Sequence, residues 1–297
     1  MGVDPAGSRA HKVYSRWACA LGLPPILRTV SLPVGTAASA YRECVAGLSN
    51  DQNVLGVVIT SHKTAIVDTA HDLIGGFTEL AGRLREAGVL VRRQGALTAD
   101  APDVASSRRA VGILLSDARW AAGDGDVIIF GAGGAGRALA YALSRDATAL
   151  GVRSITLADC VIGKAAAVAN ACASARLQIP VRAVDSTPRQ NGTLLARSAA
   201  GTLIVNATGL GKDAPGSPVD DSVAFPSRAI VWDFNYRGER RFLRHARTSY
   251  AHRDLRVEDG RNYFVAAWTE ALARIAGSTP TDELYELFDV HARAAGV

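Results

Sequence analysis

Short apolar runs alternate along the chain with longer segments that have a helical period. Before residue 120, this pattern predicts strands at 27–32 and 54–60, a hairpin at 89–97, and helices at 13–21, 37–48 and 104–120. At 67–84 it predicts a helix pair, or one helix broken around Gly75 and Gly76. From residue 127 onward it predicts strands at 127–130, 154–158, 181–184, 203–206 and 230–234, and closing helices at 263–276 and 281–295. Strands that alternate with helices indicate parallel α/β sheets.

The segment 127–140 joins an apolar strand to a glycine-rich turn and then to an Ala/Leu-rich helix. The turn reads G-x-G-x-x-G and comprises Gly131, Ala132, Gly133, Gly134, Ala135 and Gly136. In such a motif the first glycine permits a tight turn, the second lets the backbone approach a pyrophosphate, and the third lets the helix pack closely on the strand. Because the flanking elements are the right ones, the motif predicts dinucleotide binding; the alternative is a structural turn.

Asp159 ends the apolar run that follows this helix. A carboxylate at that position accepts hydrogen bonds from the adenosine ribose and repels the 2′-phosphate of NADP, so it favours NAD. NADP stays open as an alternative cofactor, because Arg153 and Lys164 flank the position. The alternative role of Asp159 is to cap a helix at 161–172.

These elements predict a two-domain α/β fold in a chain of 297 residues. We expect an N-terminal α/β substrate domain at 1–118, a Rossmann-type dinucleotide-binding domain at 119–261, and C-terminal helices at 262–297 that return to the first domain.

Composition narrows the class of protein further. The net charge of +5 is mild and the basic residues are scattered, which argues against nucleic-acid binding. The four cysteines form no C-x-x-C pair and have no metal-ligand spacing, which favours reduced thiols in the cytosol and no metal. The sequence contains no run of 18 apolar residues, so it predicts no membrane span. We expect a small-molecule substrate and a monomer or homodimer.

Several motifs in order make the chain resemble the shikimate dehydrogenase family over nearly its whole length. These are T-x-H-K at 60–63, the glycine motif at 131–136, N-A-T-G-L-G at 206–211, D-x-x-Y at 233–236 and Asp-Gly at 259–260. The resemblance implies an NAD(P)-dependent oxidoreductase that transfers a hydride between nicotinamide and a hydroxyl or keto group.

The resemblance also implies roles for individual residues. Lys63 corresponds to the family's catalytic lysine and Asp103 to its aspartate partner, with Asp100 as the nearest rival. Ser8, Thr60 and Tyr236 correspond to substrate-binding positions. Asn206 and Thr208 join the glycine turn and Asp159 at the cofactor. The chemistry agrees, because oxidation of a secondary alcohol needs a group that takes the hydroxyl proton while the hydride leaves carbon.

Departures from the family pattern concentrate in the substrate pocket. Ala10, Gly88, Ala101 and Ala267 stand where the resemblance leads us to expect hydrogen-bonding side chains. A site that loses such partners binds a polyol less well. We therefore expect a small cyclic carboxylic acid other than shikimate as substrate. The alternatives are a nucleotide-binding sensor without turnover, or a shikimate or quinate dehydrogenase with an altered pocket.

Overall fold

A computed structural model of the protein describes residues 1–116, 120, 125–248 and 250–297. The described chain forms two compact units, Met1–Ser106 with Val265–Val297, and Ser107–Phe264. Each unit contains a sheet with helices, which confirms the predicted α/β class. The predicted boundary between residues 118 and 119 lies outside the described residues, and the domain limits stay predictions.

The first unit contains a four-stranded sheet with the order β1-β3-β4-β2. Its strands are β1 (Gly56–Val58), β2 (Gly76–Phe77), β3 (Val89–Arg93) and β4 (Ala96–Asp100). The antiparallel β3–β4 pair confirms the predicted hairpin, and β2 runs parallel to β4. This arrangement brings the end of β4, and the residues that follow it, next to the start of β3.

Helices cover the sheet of the first unit, and the last of them continues into the second unit. They are α1 (Tyr14–Ala20), α2 (Ala38–Asn50), α3 (Lys63–Ala70), α4 (Glu79–Leu84) and α5 (Asp103–Leu115), with 3-10 turns at Arg9–Lys12 and His71–Leu73. The core between helices and sheet is apolar: Val45, Ile59, Ile66 and Leu90 are each at most 1% exposed. Burial of these side chains fixes the position of α3 and therefore of its first residue, Lys63.

The second unit is built on a six-stranded parallel sheet with the order β10-β9-β8-β5-β6-β7. Its strands are β5 (Asp126–Phe130), β6 (Ser154–Asp159), β7 (Val181–Asp185), β8 (Leu203–Asn206), β9 (Ile230–Asp233) and β10 (Arg256–Glu258). The strand order reverses between β5 and β8. In sheets of this kind, ligands bind at the carboxyl edge where that reversal occurs.

Helices connect these strands, and two more end the chain. They are α6 (Gly134–Arg145), α7 (Ala147–Leu150), α8 (Ile162–Ser174), α9 (Pro188–Ala196), α10 (Arg241–Thr248), α11 (Tyr250–Arg253), α12 (Arg261–Ala276) and α13 (Asp282–Ala294). No helix within the described ranges has both the length and the apolar character that crossing a membrane requires.

The structure departs from the sequence predictions of secondary structure in three places. Residues 27–32 form no named strand, because only Ser31 makes an isolated bridge, to Gly2. The helix pair predicted around Gly75 and Gly76 is present as α3 and α4, but α3 begins at Lys63 and not at residue 67, and Gly76 belongs to the short strand β2. Strand β10 was not predicted, because its three residues include two charged side chains that hide the apolar pattern.

Candidate active site

The segment after β1 places Lys63 at the first position of α3. His62 adopts a left-handed backbone conformation with φ 67° and ends the extended segment. Its Nε2 lies 2.6 Å from the carbonyl oxygen of Leu32 and its Nδ1 lies 2.8 Å from the hydroxyl of Tyr41. Since a carbonyl only accepts, Nε2 is the donor to Leu32. His62 is thus a structural group that fixes the start of α3.

Lys63 and Asp103 form an ion pair inside the first unit. The Nζ of Lys63 donates to Oδ2 of Asp103, the first residue of α5. The side chains are 10% and 4% exposed, so the pair is almost closed to solvent. An ammonium group held in this way can give a proton to a substrate oxygen, and the carboxylate fixes its direction.

Asp100, the rival candidate, has other partners. Its Oδ1 accepts hydrogen bonds from the Thr78 hydroxyl at 2.8 Å and from the backbone N–H of Ala101 at 2.7 Å. Its Oδ2 accepts from Nε of Arg274 at 2.6 Å. The structure therefore assigns Asp103 to Lys63 and Asp100 to Arg274, which anchors the end of β4 against α12.

The structure places the three predicted substrate-binding residues in separate local settings. The Thr60 hydroxyl donates to the carbonyl of Met1 at 3.1 Å. The Ser8 hydroxyl accepts from the N–H of Ala10 at 3.2 Å and caps a 3-10 turn. Tyr236 belongs to the second unit, where its ring lies 4.3 Å from that of Phe264. Their contacts with a substrate stay predictions.

The glycine-rich turn links β5 to α6 in the second unit. Gly131 has φ 100°, and a Cβ there would lie 2.7 Å from the carbonyl carbon of Ala207. A Cβ at Gly136 would lie 1.8 Å from the carbonyl oxygen of Gly131. At Gly133, by contrast, a Cβ would meet nothing within 4 Å. The turn thus leaves open space beside the N-terminus of α6, where backbone N–H groups without helical partners suit a pyrophosphate.

Asp159 ends β6 directly beside this turn. Its Oδ2 accepts from the N–H of Ala132 at 2.7 Å, and its Oδ1 accepts from the N–H of Val161 at 2.8 Å. Val161, not Asp159, is the cap residue of α8. Since a carboxylate has further lone pairs, Asp159 can still accept a bond from a ribose hydroxyl.

Arg153, one of the two cations that flank Asp159 in sequence, lies away from Asp159 in the structure. Arg153 binds Asp126 at 3.1 Å. These residues lie at the amino ends of β6 and β5, whereas Asp159 lies at the carboxyl edge, so the predicted role of Arg153 is corrected. Lys164 remains in the first turn of α8.

Asn206 and Thr208 organise the turn that follows β8. Oδ1 of Asn206 accepts from the hydroxyl of Thr208 at 2.7 Å and from its N–H at 3.1 Å. The Nδ2 of Asn206 lies 3.2 Å from Oδ1 of Asp233. Asn206 is fully buried. Its side chain therefore shapes the turn. Thr208 is exposed and is the one of these two residues that can contact a ligand.

Comparison with known proteins identifies the family. No family model matches the chain. A shikimate dehydrogenase (NADP(+)) from Methylocella silvestris is 30% identical over 299 residues, which cover 98% of this chain and 94% of the relative. The chain belongs to the shikimate dehydrogenase family.

Solved structures show the fold of the shikimate dehydrogenase family over the same length. Quinate dehydrogenase from Corynebacterium glutamicum, in complex with NAD, has a TM-score of 0.68 at 24% identity, covering 97% of this chain and 96% of that chain. Shikimate 5-dehydrogenase from Thermus thermophilus, in complex with NADP(H) and shikimate, has a TM-score of 0.66 at 22% identity, covering 99% and 97%. Both likenesses support the two-sheet α/β architecture.

Two residues of this member of the family were not predicted to shape the site. Nε of Arg137 donates to the carbonyl of Ala132 at 3.1 Å and braces the glycine turn. The sequence feature that could have indicated this role is an arginine within an otherwise apolar helical segment. Asp233 is fully buried behind the turn at 206–211, and burial raises its pKa to about 7, although bonds from Asn235 and Asn206 oppose the shift. Its buried position could not be found from sequence spacing.

A separate cavity of about 510 Å³ lies in the second unit of this protein. It lies between α9 and the sheet, and its lining includes Thr156, Arg182 and Arg197. None of the predicted site residues lines it, so it is separate from the predicted site. Among the residues that the structure describes, no group of histidine, cysteine and acidic side chains could hold a metal ion.

Proposed function

We propose that the protein is an NAD(P)-dependent oxidoreductase that interconverts a hydroxyl and a keto group on a small cyclic carboxylic acid. The observation that carries the proposal is the nearly buried ion pair between Lys63 and Asp103. It occurs in a member of the shikimate dehydrogenase family whose second unit has the turn and helix terminus that suit a dinucleotide. Relatives named for shikimate and quinate support a cyclic acid as the substrate class.

The residues present fit a nicotinamide dinucleotide. The turn from Gly131 to Gly136 and the N-terminus of α6 would hold the pyrophosphate, and Asp159 would accept a hydrogen bond from the adenosine ribose. Thr208 would line the same carboxyl edge. Asp159 favours NAD, with NADP as the alternative, since the curated relative is named for NADP(+). When bound in its reduced form, the cofactor supplies the hydride.

Lys63 carries the proton in this mechanism. During reduction, its ammonium group donates a proton to the carbonyl oxygen as negative charge develops there. Asp103 holds the ammonium group in position and stabilises it before the transfer. During oxidation, the deprotonated amine takes the proton of the substrate hydroxyl. The near absence of solvent around the pair strengthens these electrostatic interactions.

The test is a panel of cyclic hydroxy and keto acids, assayed with NAD and with NADP by the absorbance of reduced nicotinamide. Once a substrate is found, Lys63→Met is expected to lower kcat by about 10²–10⁴-fold, the usual contribution of a general acid or base. NAD affinity, measured by calorimetry, should stay unchanged. The matched control is Arg42→Met, which removes a cation from an exposed ion pair with Asp72 in the same unit.

Two outcomes contradict the proposal. Wild-type turnover by Lys63→Met on a confirmed substrate removes the catalytic assignment. Cofactor binding without turnover of any compound in the panel favours a nucleotide-binding sensor instead. A cytosolic location agrees with the four cysteines, which are all free thiols. We expect a monomer or homodimer, which light scattering can measure.

A further inference from the structure

Four polar side chains of the first unit form a hydrogen-bonded network that joins the two closing helices to the end of β4. The Tyr285 hydroxyl in α13 donates to Oε1 of Glu270 in α12. Nη1 of Arg274 donates to Oε2 of the same carboxylate, and Nε of Arg274 donates to Oδ2 of Asp100 at 2.6 Å. We call Tyr285, Glu270, Arg274 and Asp100 the anchoring network. It connects the end of β4 to helices that lie far away in the sequence.

The anchoring network is largely withdrawn from solvent, and its carboxylates are fully partnered. The Glu270 side chain is 6% exposed, and those of Arg274 and Asp100 are 25% and 21% exposed. Every carboxylate oxygen accepts a hydrogen bond, since Oδ1 of Asp100 accepts from the Thr78 hydroxyl at 2.8 Å. Such a network holds its members in one arrangement, and removal of one partner leaves the other charge buried. Its net contribution to stability is small because desolvation opposes it, so its main effect is on geometry.

Asp100 transmits this geometry to Asp103. Oδ1 of Asp100 accepts from the N–H of Ala101 at 2.7 Å, which fixes the first peptide after β4. Pro102 follows, and its ring restricts the backbone angle φ. The carbonyl of Pro102 accepts from the N–H of Ser106 at 3.1 Å in the first turn of α5, which begins at Asp103. The position of the Asp103 carboxylate therefore depends on where Asp100 is held.

The backbone of Asp100 is also connected to Lys63. The carbonyl of Asp100 accepts from the N–H of Gly88 at 2.9 Å, and the N–H of the neighbouring Ala87 donates to the carbonyl of Lys63 at 3.0 Å. Both members of the ion pair are thus connected to Asp100, one through a short covalent link and the other through two hydrogen bonds. A displacement of Asp100 is therefore expected to change the separation and direction of the pair.

We propose that Arg274 and Glu270 are positioning residues for proton transfer by Lys63. They hold Asp100 against α12, and Asp100 holds the start of α5. Asp103, at that start, then directs the Lys63 ammonium group toward the substrate oxygen. A misplacement of about 1 Å can lower a rate about 10²-fold, so a distant support of this kind can affect turnover. This inference rests on the proposed function and adds that the closing helices set the geometry of the proton carrier.

The first experiment compares Arg274→Met with the wild-type protein on a substrate found in the panel of cyclic acids. We expect kcat per folded molecule to fall about tenfold to thirtyfold, because the proton carrier is displaced. KM should change less than about twofold, because the displacement acts on the transition state and not on the bound substrate. A network that serves stability alone would lower Tm and leave kcat unchanged. The matched control is Arg293→Met, which removes a cation from an exposed pair with Asp289 in α13 and should keep kcat.

The second experiment repeats Arg274→Met in the Asp103→Asn background. If Arg274 acts through Asp103, the double variant should lose no further kcat relative to Asp103→Asn, although its Tm should still fall. Losses of kcat that multiply in the double variant would show that Arg274 acts by another route, and they would overturn the inference.

Tyr285→Phe is the milder variant and decides the matter if Arg274→Met does not fold. It keeps the ring and removes one hydrogen bond from Glu270, so kcat should fall about threefold with KM unchanged. Wild-type kcat in each folded network variant overturns this inference, while a large loss in Lys63→Met leaves the proposed function standing. Wild-type kcat in Lys63→Met, or no turnover of any panel compound by the wild-type protein, overturns both.

Discussion

The carboxylate of Asp159 accepts a hydrogen bond over 2.7 Å from the backbone N–H of Ala132, within the glycine-rich turn. The bond ties the end of β6 to the turn that follows β5. It keeps a negative charge at the carboxyl edge of the sheet, with the side chain about nine-tenths buried. The charge is therefore fixed in place and only weakly screened by solvent.

We predict that NAD binds more tightly than NADP, because this fixed charge repels the 2′-phosphate. Asp159→Asn should narrow the ratio of the two dissociation constants by about tenfold, equivalent to roughly 1.4 kcal/mol. Titration calorimetry with both cofactors measures the ratio. Asp126→Asn, at the opposite edge of the sheet, is the control and should leave it unchanged. Equal or tighter binding of NADP by the wild-type protein would show that Lys164 outweighs the carboxylate.

Two alanine substitutions in the glycine turn should separate folding from cofactor binding. Gly136→Ala puts a Cβ 1.8 Å from the carbonyl of Gly131, so we expect a lower Tm. Gly133→Ala meets no protein atom within 4 Å, so Tm should be unchanged. NAD affinity should nevertheless fall, because the methyl group occupies the space proposed for the pyrophosphate. Thermal denaturation and calorimetry on both variants check this, and full NAD affinity in Gly133→Ala would contradict the proposed location.

Asp103→Asn and Asp100→Asn should have different effects, although the two residues are close in sequence. Asp103→Asn removes the charge that holds the Lys63 ammonium, so kcat on a confirmed substrate should fall roughly 10²-fold with little change in NAD affinity. Asp100→Asn breaks the bond to Arg274 and should cost about 1–3 kcal/mol of stability, with a smaller effect on kcat. Denaturant unfolding and steady-state kinetics measure the two effects. A larger loss of kcat in Asp100→Asn would reverse the assignment.

Burial of Asp233 predicts a pH-dependent stability. Its pKa rises from 3.8 to about 7 because desolvation disfavours the charged form, despite the opposing fields of Arg240 and Lys212. Between these values the folded state binds more protons than the unfolded state. This group's contribution therefore lowers stability as the pH rises from about 4 to about 7, and it is constant above.

Asp233→Asn tests this dependence, because the amide imitates the protonated acid. In the variant, the free energy of unfolding should no longer fall between about pH 4 and pH 7 through this group. At pH 8 the variant should therefore be more stable than the wild type by up to roughly 4 kcal/mol. Urea unfolding across the pH range measures it. The control is Asp220→Asn at an exposed position, which should keep the wild-type slope. A slope that survives in Asp233→Asn would assign it to other groups.

The sequence by itself determined the features that rest on local pattern. The apolar run before Gly131 and the helix after it specified the strand, turn and helix of the second unit, because glycine spacing and helix periodicity are properties of neighbouring residues. The alternation around residues 89–97 specified the β3–β4 hairpin for the same reason. Ordered motifs along the whole length pointed to the shikimate dehydrogenase family, and the 30% identical relative confirms it.

Only the tertiary structure decided which distant side chains meet. The resemblance named Asp103 as the partner of Lys63 but left Asp100 as its nearest rival, and in the folded chain Asp100 binds Arg274 while Asp103 binds Lys63. Arg153 is close to Asp159 in sequence, but in the structure it binds Asp126 at the opposite edge of the sheet. Residues 27–32 have a strand-like pattern, but a strand needs a partner along its length, and only Ser31 makes a bridge. Pairing is a property of the folded chain, and local propensity cannot supply it.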